Sequence, residues 1–338
     1  MREIYFIFLL KGFTVFAQVG GESVFNFLNV PTSAHQTALG GKTLTLMGDI
    51  SQPIWNPAVI NEEMKGQINL NYLNFIGDIN YYSTSYAHYV DRRIGTFHSN
   101  LTYVDYGKFI EADEEGVETG TFKAYDMSLS VGYAYNFPKT NIYVGSNIKI
   151  IQSKIEKYSS LAAAVDIGLI YYKDDNPLSL ALSVRNIGHQ FIAFDEKIEK
   201  LPFEILMGAS YKLENVPLKW HITIDNLQQW QIANSNPSNT ITNINGKETL
   251  EKISFIDNAF RHFILGVELF PDKNFNLRMG YNFKKSKEFS LLNTRSFAGL
   301  TAGFGLKMNK IKLNYAFSKY HPVSNTHTFS LNLYLNNN

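Results

Sequence analysis

From Ala124 onward the chain alternates apolar and polar residues with a strictness that leaves few folds open. Tyr125, Met127, Leu129, Val131, Tyr133, Tyr135 and Phe137 alternate with Ala124, Asp126, Ser128, Ser130, Gly132, Ala134 and Asn136. A period of two puts each set on its own face of a strand. After the turn Phe137-Pro138-Lys139-Thr140, a second arm carries Ile142, Val144, Ile148 and Ile150 on one face and Tyr143, Gly145, Asn147 and Lys149 on the other. Strands of soluble sandwiches average about five or six residues. Arms of roughly ten residues, tilted, cross a hydrocarbon layer of about 30 Å.

The pattern recurs to the C-terminus and predicts fourteen strands, from Gln67 to Phe75 through Thr326 to Leu335. Connections after even strands are tight, such as Pro138-Lys139 and Asn309-Lys310, whereas those after odd strands are mostly long, such as 107–121, 187–201 and 228–258. Alternating short and long connections are the signature of a membrane barrel with short turns on one side and long loops on the other. The sequence therefore predicts an all-β fold, a 14-stranded antiparallel transmembrane β-barrel, with both termini on the short-turn side. Outward positions should include Leu129, Val131, Ile222 and Leu331, with Ser130, Gly132, Thr223 and Asn332 facing inward.

Composition agrees once the alternation is known. Mean hydropathy is only −0.15, yet a barrel hides its hydrophobicity in alternation, and 25 Phe and 20 Tyr suit strands and interfacial girdles. The chain has no cysteine, which excludes disulfide and thiolate chemistry, and a net charge of +1 offers no footprint for nucleic acid. Arg2, the apolar run Ile4 to Leu10 and Val15-Phe16-Ala17 read as an export signal over residues 1–17, cut after Ala17.

Residues 18–63 differ from the rest. They mix Gly pairs, Pro and short apolar pieces, too irregular for a domain, and predict a plug or hatch segment inside a barrel of residues 64–338. Ser33 or Thr32 could cap a short helix starting near Ala34. The plug motif is Gly40 and Gly41 with Trp55, Asn56, Pro57 and Ala58; Asn56 before Pro57 is biased to extended backbone, and the glycines permit close approach.

No nucleophile elbow, phosphate loop or paired-carboxylate motif stands out, and the eight histidines lack metal-ligand spacing. A non-enzymatic protein without cofactor or metal is expected. The acidic run Glu111 to Glu118 reads as a solvated loop. Apolar residues in the long connections are the candidate partner-docking positions: Phe109, Ile110, Phe191, Ile192 and Phe194, and in the longest connection Gln229, Trp230, Phe255 and Ile256.

The stretch Gly20 to Ala34, followed by Ala38-Leu39-Gly40-Gly41, resembles the PorQ family of the type IX secretion system, and Trp55-Asn56-Pro57-Ala58 is similar to the Asn-Pro-Ala element of the broader FadL-like barrels, which include PorV. The resemblance implies an outer-membrane anchor in a Bacteroidetes-type bacterium, a subunit of the cell-surface attachment complex. Its partners would be a PorZ-like surface protein, PorU as sortase, PorV, outer-membrane lipid and anionic lipopolysaccharide. The alternative is a FadL-like outer-membrane channel for hydrophobic ligands, against which the Asn, Lys, Arg and Ser of the inward faces argue.

Overall fold

The computed structural model describes residues 23–233, 241–242, 248–249, 253–288, 297–321 and 324–335. The export signal, the first part of the PorQ-like stretch and Asn234 to Asn239 lie outside the described residues.

Fourteen strands close into one antiparallel barrel. They are β1 Gln67–Asn74, β2 Asn80–Tyr89, β3 Thr96–Ala112, β4 Glu118–Phe137, β5 Ile142–Ile155, β6 Tyr158–Tyr171 and β7 Leu178–Ile192. There follow β8 Glu204–Lys212, β9 Leu218–Ile224, β10 Phe263–Leu269, β11 Phe275–Asn282, β12 Leu300–Met308, β13 Ile311–His321 and β14 Ser324–Tyr334. Each strand pairs with its sequence neighbours, and β1 closes on β14 with Gln67 opposite Tyr334. Full closure leaves no unpaired edge, which is what lets strands cross a bilayer.

The two faces sort as the alternation requires. Leu129 and Val131 are 46% and 51% exposed, while Ser130 between them is 4% exposed; Thr223 and Asn332 are buried and face inward. On the exterior, Tyr103, Tyr82, Tyr72, Phe329, Tyr315 and Phe304 stand directly opposite one another across six adjacent strands, β3-β2-β1-β14-β13-β12. Neighbouring rings in this row lie 5.2 to 6.5 Å apart, so cross-strand aromatic contacts reinforce the closing seam.

Several strand ends differ from the sequence expectation. The hairpin of β3 and β4 extends through most of 107–121, so Phe109 and Ile110 lie on a strand, with register shifts between Asp105 and Lys108 and between Glu111 and Ala112. β7 continues to Ile192 rather than ending at Asn186, because a bulge turns both Arg185 and Asn186 inward, with Asn186 at φ 58°. One extra inward residue breaks a strict period of two without ending the strand. The alternation predicts strands over Ala259 to Phe270 and Phe275 to Lys284. Helix α1 Ala34–Ala38 forms where a short helix is expected, whereas α2 Phe255–Arg261 and α3 Phe283–Glu288 replace the ends of those strands.

Residues 23–64 run through the inside of the barrel. α1 is buried at all five residues and follows Ser33, the cap position expected, although the Ser33 hydroxyl makes no capping bond. Short 3₁₀ turns at Gln52–Ile54, Pro57–Val59 and Glu62–Met64 carry the chain down to β1.

Because Val131 faces lipid, Val131→Arg should cost about 2 to 4 kcal/mol near the bilayer midplane. Heat-modifiable migration of outer-membrane fractions should show loss of the folded species, while Val131→Leu should leave it unchanged.

Candidate functional site

The candidate site is the surface between the N-terminal segment and the inner wall. A segment without regular structure carries backbone groups that need partners away from water, and the wall supplies them from inward side chains. Ser183 Oγ donates to the Trp55 carbonyl at 2.7 Å, and Asn147 Nδ2 to that of Pro53 at 2.7 Å. His98 Nε2 donates to the Ile50 carbonyl at 2.8 Å, and Arg185 Nη2 to the Leu28 carbonyl at 2.9 Å. The Ala34 amide donates to Ser330 Oγ at 2.8 Å. Thr301 Oγ1 donates to the Ala38 carbonyl at 3.0 Å and accepts from the Gly40 amide at 3.1 Å.

Glycines in the wall provide two seats for this backbone. Asn56-Pro57-Ala58 rests on Gly145 of β5 and Gly168 of β6; a Cβ on Gly145 would overlap the Pro57 carbonyl, and one on Gly168 the Asn56 side chain. Asn56 itself is extended, at φ −145°; it accepts from the Ala58 amide at 3.1 Å and donates to the Leu44 carbonyl at 2.9 Å. Leu39-Gly40 rests on Gly266 and Gly280, where a Cβ on Gly280 would meet the Gly40 amide. Gly40 also sits at φ 96°, a conformation suited to glycine. Gly41 follows at φ 114°. Gly40, Trp55, Asn56, Pro57 and Ala58 lie in this contact, while Gly41 packs within the segment against Pro31.

Charged groups fasten the two seats. Arg185 and Glu204, both 2% exposed at the side chain, pair at 3.0 Å, with the Arg185 guanidinium 3.9 Å over the Trp55 ring. Lys42 of the segment pairs with Glu204 and, at 3.0 Å, with Asp225. Burial alone would lower the Lys42 ammonium, but the Asp225 and Glu204 carboxylates outweigh it and push it up to about 12. On the other side, His35 Nδ1 lies 2.6 Å from Asp49, and Nε2 lies 3.4 Å from Glu268, itself 2.9 Å from Arg278. Burial would raise the Asp49 carboxyl; the His35 bond and charge, with help from Lys312 and Ser51, overcome it and hold Asp49 well below the usual carboxylate range.

The lumen is not uniformly polar. At the long-loop end, inward Leu73, Tyr81, Val104, Ile151 and Ala162 form an apolar well, filled by Phe25 and Phe27, each 4% exposed. At the short-turn end a vestibule of about 1480 Å³ opens beneath the segment, lined by charged residues that include Glu62, Glu63, Lys219 and Lys312. The expectation of a polar lumen is corrected at the well. Alternation reveals which face a residue takes but not its height along the barrel; one cluster of apolar inward residues gathers at the long-loop end, and a second, with Ile170, Ala181 and Leu206, packs around Trp55.

The candidate docking residues are dispersed over the long-loop end. Phe109 stacks on Phe122 at 5.1 Å beside Ile110 on the extended hairpin. Phe191 and Ile192 are exposed at the end of β7, with Phe194 half-buried beyond it. Trp230, next to half-buried Gln229, lies 4.8 Å from Phe255, and Ile256 adjoins it on α2. The wall glycines, Lys42, Arg185 and Glu204 were not singled out from sequence; small residues at inward positions of successive strands were the available signal.

No protein-family model and no curated protein matches the chain. Among solved structures, the fold is similar to a TodX monoaromatic hydrocarbon channel, a deltaS2 mutant, at TM-score 0.51 and 13% identity, covering 90% of this chain and 97% of that one. A Pseudomonas aeruginosa FadL homologue aligns over the same shares at TM-score 0.49 and 11% identity. At such identity the first likeness establishes the fold. The comparisons lend no support to the PorQ identity or to an attachment complex.

Replacing Gly145 and Gly168 by Val should unseat Trp55 to Ala58. Trypsin should then cleave at Lys42 or Lys65 several times faster than in the wild type, with the barrel still heat-modifiable. The depressed Asp49 stabilises the folded segment above the unfolded carboxyl value of about 3.9, and that contribution is lost progressively as pH falls from there toward its own lower value. Pepsin should therefore reach the segment increasingly as pH drops from about 5 to 2, and Asp49→Asn should flatten that dependence.

Proposed function

We propose that this chain is an outer-membrane channel for small hydrophobic ligands, with residues 18–63 as its hatch and no catalytic activity of its own. The observation that carries this reading is the well at the long-loop end. Phe25 and Phe27 place two phenyl rings where an apolar solute entering from the loops would sit, a tethered occupant that a ligand would have to displace. The fold shared with a monoaromatic hydrocarbon channel supports the same ligand class. Polar residues elsewhere on the inner wall are engaged, some with the hatch backbone, as Asn147, Ser183 and Arg185 are, and others with one another, as Asn69 is with Asn332.

The experiment is binding and flux in the purified, reconstituted barrel, with toluene and a long-chain fatty acid as probes. Burying a phenyl side chain is worth about 1.5 to 3 kcal/mol, so Phe25→Ala and Phe27→Ala should each tighten apparent affinity roughly tenfold to a hundredfold by removing the competitor, and the double variant more. If neither probe binds or crosses, and the double variant changes nothing, the channel reading fails. An anchor for a PorZ-like protein rests on the opening motif and on exposed Ile110 and Phe191, 62% and 64%. Co-purification of a surface protein with a lumen that binds neither probe would favour it.

A further inference from the structure

α2 is amphipathic in the reverse of the usual sense. Its polar face is turned to the protein: buried Asn258 accepts from the Ala233 amide at 3.1 Å and the Ile232 amide at 3.3 Å. Asp257 accepts from Arg261 at 2.8 Å and pairs with Lys287 of α3 at 2.9 Å. The apolar face looks away, with Phe255 73%, Ile256 66% and Phe260 52% exposed. A soluble helix would bury that face and present its charges to water.

The surface next to it identifies the occupant. Phe260 lies 6.4 Å from Phe263, at the loop end of β10, and 5.5 Å from Phe283. Phe283 in turn packs 4.9 Å from Tyr281, which shares the outward face of β11 with Leu277 and Met279. The apolar face of α2 thus continues the lipid-facing wall without a polar break, at the end of the barrel where the long loops emerge. An aromatic apolar face lying level with the end of a hydrocarbon band is how interfacial helices seat themselves in a bilayer.

We propose that α2 is a membrane-interface helix: Phe255, Ile256 and Phe260 lie in the headgroup and upper acyl region of the leaflet around the loop end. This assigns Phe255 and Ile256 to lipid rather than to a protein partner, and it holds whatever the lumen carries.

The absence of cysteine from the chain makes the test direct. Ile256→Cys, carrying a nitroxide, is reconstituted into vesicles of phosphatidylethanolamine and phosphatidylglycerol, beside Leu129→Cys on the lipid wall and Glu115→Cys at an exposed loop tip. Collision with oxygen and with a water-soluble nickel chelate, present on both sides, is read by electron paramagnetic resonance. The expected result is a ratio of oxygen to nickel access at 256 below that at 129 and well above that at 115, with nickel access several-fold below that at 115. Nickel access equal to that at 115 would place the helix in water and overturn the proposal. Shielding from both reagents, with spectral broadening that disappears on dilution with unlabelled protein, would show a second copy covering the face and would overturn it too. Heat-modifiable migration verifies the fold of each variant, and Phe255→Cys provides an independent site on the same face.

Discussion

A barrel that encloses irregular backbone must satisfy every carbonyl and amide that backbone brings in, and the rest of this molecule follows from that demand. Inside the wall no neighbouring strand is at hand for the Pro53, Trp55 or Leu28 carbonyls, and an unpaired buried group would cost about 1 to 3 kcal/mol. Asn147, Ser183 and Arg185 meet the need from β5 and β7. These inward polar residues are thus matched to one particular chain path. Their polarity describes the segment they hold, and only the apolar well at the loop end describes what else could enter.

The alternation made the barrel legible because a period of two, long strands and unequal connections are all local properties. It failed where the wall departs from regularity to serve the segment. At Arg185-Asn186 two successive residues face inward, which looks in a sequence like the end of a strand. The extended hairpin of β3 and β4 was read as a loop because Glu111 to Glu118 is charged, yet a strand beyond the membrane needs no apolar face. The Asn56-Pro57-Ala58 motif was visible as backbone punctuation, but not its seat on Gly145 and Gly168, nor the meeting of Lys42 with Glu204 across a separation of 162 residues. Contacts of that kind exist only once the barrel has closed.

The ion pairs also bear on whether a segment held this firmly could move. Removing one partner from a buried pair ordinarily costs about 3 to 5 kcal/mol, because the other charge is left uncompensated. Here two of the three wall carboxylates keep a cation, while Asp225 would give up its 3.0 Å contact with Lys42. Glu204 keeps Arg185 at 3.0 Å when Lys42 withdraws, and Glu268 keeps Arg278 at 2.9 Å when His35 withdraws. His35 and Asp49 belong to the same segment and travel as a pair. The hold at Trp55 is different in kind: an indole 1% exposed would lose roughly 150 to 250 Å² of burial, about 4 to 6 kcal/mol, on leaving its place beneath Arg185. In the proposed channel the Trp55 to Ala58 seat is therefore the fixed point, and any motion of residues 34–49 must also uncover Leu39 and Leu44, both 0% exposed.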